Sequence, residues 1–231
     1  MQSCNHHSNS QGMQHLCVSL VPIFNHLKPE EMQEIVKTTT HAQYNRNETI
    51  YGMGDSSAHL FIVHRGRVKI YRLSESGKEQ LIRILEPGDF MGETALFTES
   101  VTDHYAMAME KTELCIMRRS DLQSFLMKYP AISLKILEEF GRRLERTEKL
   151  ISSLTSEDVE KRIAEYLVEL TKESQYSTIT LPMSKKDLAS YLGTTPETVS
   201  RKLTEFQERG WIEQAGQRKI KVVNLIALNE L

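Results

Sequence analysis

The sequence predicts an α+β chain in three parts: an N-terminal antiparallel β-roll, one long helix, and a C-terminal winged helix–turn–helix. Three observations predict it. Short alternating runs punctuated by glycine fill the first half. An apolar repeat in steps of three and four occupies the middle. A capped pair of helices followed by a basic hairpin lies near the end.

From Ala42 to Met117 the runs Leu60–Val63, Val68–Tyr71 and Gln80–Leu85 are separated by Gly52, Gly54, Gly66, Gly77, Gly88 and Gly92. Short runs between glycine turns read as strands of a roll or barrel. A short helix is expected near Pro29–Val36. Residues 1–16 are polar, rich in His, Ser, Asn and Gln, and would be disordered alone.

Pro130 opens a long helical stretch. Leu137, Phe140, Leu144, Thr147, Ile151 and Leu154 form a coiled-coil seam. Ile132, Leu134 and Ile136 read as contacts with the roll. The seam continues beyond them, which predicts a parallel dimer helix and a homodimer. Ser156-Glu157-Asp158 breaks the pattern, and Val159, Ile163, Tyr166, Leu167 and Leu170 open the last domain. The expected division is an N-terminal arm over 1–20, a sensor roll over 21–128, a dimerisation helix over 129–155 and a winged helix–turn–helix over 156–231.

Ser184 to Thr194 reads as a short helix and a glycine turn. A second helix then starts, with Thr195 as N-cap and Pro196 at its first position, where the missing N–H costs nothing. Val199, Leu203 and Phe206 share one face. Glu197, Ser200 and Arg201 share another. The apolar face packs the helix down and the polar face suits a major-groove reader. Arg holds guanine O6 and N7, Glu accepts from cytosine N4, and Ser approaches either edge. Arg209–Glu213 and Arg218–Val223 flank a glycine turn as a wing, whose second strand alternates basic and apolar residues.

With a net charge of −2 over 231 residues the chain has no global attraction for nucleic acid. A DNA surface must therefore be local, and Lys185, Lys186, Lys202, Arg218 and Lys219 are the expected phosphate contacts, with Lys221 beside them. Hydrophobic and charged contents of 39% and 26% are those of an ordinary globular protein. No apolar run spans a membrane, and the N-terminus lacks the features of a signal peptide, so a cytoplasmic location is expected. Three cysteines do not suggest a disulfide framework. An enzyme is not expected. His59 and His64 are five apart, no His-x-His of a cupin exists, and no triad, Walker loop or dinucleotide fingerprint is visible.

Helix, turn, Pro196-Glu197-Thr198-Val199-Ser200-Arg201 and wing resemble the C-terminal domain of the CRP/FNR superfamily of bacterial regulators, and the resemblance runs over almost the whole chain. Glu-x-x-Ser-Arg is similar to the FNR branch, which implies TTGA-type inverted repeats in double-stranded DNA and RNA polymerase as a partner. Pro87 to Phe97 resembles the nucleotide-facing loop of cyclic-nucleotide-binding domains. The chain is most similar to FNR-like proteins of Gram-positive bacteria.

The resemblance also bears on the signal. Glu93 matches the family position for a ribose hydroxyl. Where the family carries an Arg followed by Ser or Thr for the cyclic phosphate, this chain has Val101-Thr102-Asp103-His104-Tyr105, and the helix position that meets the base carries Glu148. Asp103 would repel a phosphate, so cyclic AMP is not the expected effector. A regulator of the CRP type, answering to a cyclic nucleotide or another small effector, is the alternative. Cys4, Cys17 and Cys115 match cysteine-bearing segments of FNR, but Ser8 and Gln11 fall near its two further cysteines, so one chain cannot assemble a four-cysteine cluster. A redox, oxygen or metal response through these cysteines is expected. Three chemistries stay open: a disulfide, zinc held by three thiolates with His6, His7 or His15, or an iron–sulfur cluster with one non-cysteine ligand. Cys115, between Leu114 and Ile116, also reads as a small buried hydrophobe.

Overall fold

A computed structural model of the chain describes residues 19, 21–56, 58–93, 101–156, 158–174 and 176–231, with only the main chain at 155 and 156. They divide into two compact units, Met1–Tyr71 with Leu85–Arg142, and Arg72–Ile84 with Arg143–Leu231.

Along the chain, helix α1 (Pro29–Thr38) precedes strands β1 (Thr40–Tyr44), β2 (Thr49–Tyr51), β3 (His59–Arg65), β4 (Val68–Leu73), β5 (Glu79–Leu85), β6 (Phe90–Met91), β7 (Tyr105–Ala108) and β8 (Thr112–Arg118). Helix α2 (Arg119–Lys128) and the long helix α3 (Ala131–Ser156) follow. The strands form two four-stranded sheets, ordered β1-β8-β3-β6 and β2-β7-β4-β5. Strand β3 is buried on both faces. Leu60 and Ile62 join Val21, Phe24, Ile35, Cys115, Leu122, Ile132 and Ile136 in one core cluster. Val63 joins Tyr51, Val68, Ile70, Met91, Ala106 and Leu114 in another. The β3–β4 turn requires glycine: Gly66 has φ +87, and a Cβ there would lie 2.6 Å from the Lys111 carbonyl oxygen.

Along α3, Ile132 and Ile136 are fully buried, whereas Leu134 is 63% exposed. The expected contact of Leu134 with the roll is thereby corrected. Two residues along a helix turn the side chain by roughly 200°, so Leu134 cannot share the face of Ile132 and Ile136. Of the seam positions, Leu137, Leu144, Thr147 and Ile151 are exposed, and Leu154 is 37% exposed. Phe140 is instead partly buried against the first core cluster.

The second unit contains α4 (Val159–Ser174), β9 (Thr178–Thr180), α5 (Lys185–Tyr191), α6 (Pro196–Glu208), β10 (Ile212–Gln214), β11 (Lys219–Val222) and α7 (Leu225–Asn229). The wing hairpin pairs Ile212 with Val222 and Gln214 with Ile220. Strand β9 extends it to three strands, in the order β10-β11-β9. The sequence pattern predicts neither β9 nor α7. A three-residue strand is too short to show alternation, and α7 is a single turn capped by the Asn224 side chain, which accepts from the Ala227 N–H at 3.0 Å. No helix among the described residues is long and apolar enough to cross a membrane.

Candidate functional site

Helix α5 begins where Ser184 Oγ accepts from the Asp187 N–H at 3.1 Å, and it ends at Leu192. Gly193 then turns the chain with φ +63. Thr195 Oγ1 accepts from the Thr198 N–H at 3.2 Å, and Pro196 occupies the first turn of α6, as expected. Val199, Leu203 and Phe206 are fully buried. Glu197 and Arg201 are exposed, and Ser200 is half-buried between them. Spacings of three and four bring the three polar groups onto the outward side of one helix start.

The basic residues separate into two groups. Lys186, Arg218 and Lys219 are exposed. Lys185 Nζ donates to Gln214 Oε1 at 3.0 Å, and Lys221 Nζ pairs across the wing with Glu213 at 3.0 Å. Lys202, expected at a phosphate, is otherwise engaged. Its ammonium lies 2.7 Å from Glu160 and 2.6 Å from Glu205, and it is only 20% exposed. Glu160 also takes Arg209 at 2.8 Å. The hydrogen bond from Lys202 holds the Glu160 carboxyl below the usual carboxylate range, and the same bond pushes the Lys202 ammonium up. This network ties α6 to α4. It was not anticipated from the sequence, because the partners lie far apart along the chain.

In the roll, Glu93 is half-buried. Asp103 and His104 stand where the resemblance implies a phosphate cation. Asp103 Oδ1 is 2.7 Å from His104 Nδ1, and His104 Nε2 is 3.0 Å from the Tyr51 hydroxyl. A carboxylate only accepts, so Nδ1 carries the proton, and in the neutral ring Nε2 accepts from Tyr51. Asp103 is 63% exposed at its side chain and stands at the outer end of this chain of bonds.

Cys115 is fully buried in the first core cluster and stands opposite His41 of β1 and Ile62 of β3. Its Sγ lies 3.6 Å from His41 Nδ1. Burial of the ring, and then the charge of His64, push the His41 imidazole down from its ordinary value near 6.5. The sequence reading missed His41, which is distant in sequence and becomes a neighbour through strand register. Cys4, Cys17, His6, His7 and His15 lie outside the described residues. Among the described residues no group of three or more His, Cys, Asp or Glu could hold a metal ion, so Cys115 with its neighbours does not by itself fit one.

Residues 41–129 match the family described as "Cyclic nucleotide-binding domain", and residues 161–231 match "Crp-like helix-turn-helix domain". The chain is 35% identical over 212 residues to "Probable transcriptional regulator flp" of Lacticaseibacillus casei, spanning 92% of this chain and 96% of that protein. It belongs to the CRP/FNR family of transcription regulators. It is also 30% identical over 200 residues to "CRP-like cAMP-activated global transcriptional regulator" of Mycobacterium tuberculosis, spanning 84% and 89% of the two chains. The structure of FixK2 from Bradyrhizobium japonicum superposes with a TM-score of 0.74 at 27% identity, covering 84% of this chain and 96% of that one. CRP/FNR regulators of this kind bind DNA, act as dimers and are not enzymes.

The His41 imidazole, held low in the folded state, makes acid destabilising. Its contribution to stability is complete above the ordinary value near 6.5 and is lost as the pH falls below it. The melting temperature of the wild type should therefore fall between about pH 7 and pH 5. His41→Gln should flatten that part of the profile. An unchanged slope in the variant, measured by calorimetry, would remove His41 as its cause.

Proposed function

We propose that this chain regulates transcription as a homodimer that reads TTGA-type inverted repeats in double-stranded DNA through Glu197, Ser200 and Arg201, and that its cysteines set its response. The observation that carries the DNA reading is the division of α6. Val199, Leu203 and Phe206 are buried, which turns Glu197, Ser200 and Arg201 outward at the N-terminal end of the helix. Lys186, Arg218 and Lys219 are the phosphate contacts, with Lys185 nearby. Lys202 serves to hold the reader helix rather than the phosphate backbone. RNA polymerase is the expected protein partner.

For dimerisation, the exposed stripe Leu137, Leu144 and Ile151 along α3 favours pairing with the same helix of a second copy. Such a stripe is costly to leave in water and repeats at the seven-residue interval of a two-stranded coil.

For the signal, Asp103 disfavours a cyclic phosphate, and a thiol response is the reading adopted. Cys115 pairs with Cys4 or Cys17, two thiols losing two protons and two electrons to an oxidant such as a peroxide. The neighbouring His41 offers an acceptor for the thiol proton. Zinc or an iron–sulfur cluster would need the donors of the N-terminal arm.

Three measurements test these statements. In fluorescence titrations, Arg201→Ala should weaken binding to a TTGA-type inverted repeat by about 1–3 kcal/mol per half-site and relax preference at the guanine; Ser200→Gly should weaken discrimination at the neighbouring thymine. Wild-type affinity of both variants for consensus and scrambled duplexes alike would sink this recognition scheme. In sedimentation, the metal-free wild type should be a dimer at micromolar concentration, and Leu144→Asp should split it, because two like charges would meet in the seam. A monomeric wild type would refute the seam. Finally, hydrogen peroxide should shift DNA affinity for the wild type and not for Cys115→Ser. Loss of the response on chelation, with zinc or iron and sulfide in the purified protein, would replace the disulfide by a metal or cluster. A shift on adding cyclic AMP alone would restore the nucleotide alternative.

A further inference from the structure

Arg162 of α4 is only 8% exposed, the one buried charged side chain among the described residues. Its Nε donates to the Leu192 carbonyl at 3.1 Å, and its Nη1 approaches the Ser153 carbonyl at 3.4 Å. Both acceptors end helices. Ser153 is in the last turn of α3, and Leu192 is the C-cap of α5. The last four carbonyls of a helix have no partner within it and carry the negative end of its dipole. One guanidinium thus satisfies two helix ends with a charge of the favourable sign. Beside it, Leu154 of α3 seats on the turn between α5 and α6: a Cβ on Gly193 would lie 2.9 Å from Leu154 Cδ2. The end of α3 is therefore fastened to the turn that launches the reader helix by one polar and one apolar contact.

We propose that Arg162 is a positioning residue that sets the direction of α6 relative to α3, and through it the separation of the two reader helices in a dimer. The proposal rests on the dimeric, palindrome-reading function above. In such a dimer the separation of the helices must match the spacing of the half-sites. A planar fork with several donors can hold two acceptors in fixed directions, whereas the ammonium of lysine is a single point on a flexible stem. Arg162 acts on main-chain carbonyls at the ends of α3 and α5, so its effect should appear in spacing rather than in base preference.

The experiment compares full-length wild type and Arg162→Met on three kinds of duplex. These are the inverted repeat with its preferred spacer, the same repeat with the spacer lengthened or shortened by one base pair, and a duplex with one consensus and one scrambled half-site. Wild type should prefer its own spacer by about tenfold or more. Arg162→Met should bind that duplex about tenfold more weakly, lose most of the spacer preference, and stay within roughly twofold of wild type on the single half-site, while still sedimenting as a dimer. Retained spacer preference would overturn the proposal. So would an equal loss on the single half-site, because Arg162 would then only hold the reader domain together. Should Arg162→Met not fold, Arg162→Lys keeps the charge without the fork and carries the same expectations. If wild type bound none of these duplexes specifically, the function on which the proposal rests would fall, and the proposal with it.

Discussion

The reader surface depends on the burial of three side chains. Val199, Leu203 and Phe206 are buried on α6, which packs on α5, where Leu188 and Ala189 are buried too. Each of the three is worth roughly 1.5–3 kcal/mol when fully removed from water. That energy fixes the rotation of α6 about its own axis. Once the rotation is fixed, the outward direction of Glu197, Ser200 and Arg201 follows without any further interaction. The two caps, Ser184 and Thr195, mark where the helices begin, and Gly193 supplies the left-handed turn between them.

Electrostatics refine this arrangement. A chain with a net charge of −2 must concentrate its cations to meet DNA, yet it uses some of them internally. Lys202 and Arg209 both converge on Glu160, and Arg209 also lies 4.9 Å from the Trp211 ring centre. Pairs of this half-buried kind are costly to break singly, because the surviving partner keeps its desolvation without its attraction. They are spent on holding the reader helix against α4. Arg162 is spent on holding helix ends. Lys186, Arg218 and Lys219, which are exposed, stand outside these networks.

In the roll, the residues that make the framework and those at its polar edge are different sets. Its two core clusters are filled by aliphatic and aromatic side chains, with Cys115 among them. At the position where the family resemblance implies a cation, Asp103, His104 and Tyr51 bond to one another. An exposed carboxylate there opposes a phosphate. Cys115, meanwhile, occupies the position of a small core residue while lying against an imidazole. Its setting joins packing and chemistry, the two roles between which the sequence alone could not choose.

By itself the sequence determined the order of the parts, the capped helix pair, the buried face of α6 and the polar face opposite it. These are local properties, set by period, caps and glycine, and they survive wherever neighbours along the chain decide the outcome. Partners between elements are a different matter. Leu134 is apolar and sits between Ile132 and Ile136 in sequence, yet the helix period places it on the far side from them. Phe140 fits the seam pattern, yet it packs on the core. Only the tertiary structure decided that Lys202 meets Glu160, that His41 lies on Cys115, that β9 joins the wing, and that Arg162 bridges the ends of α3 and α5. Each of these is a meeting of residues remote in sequence or on different elements, and such meetings are set by register and packing, which no local pattern encodes.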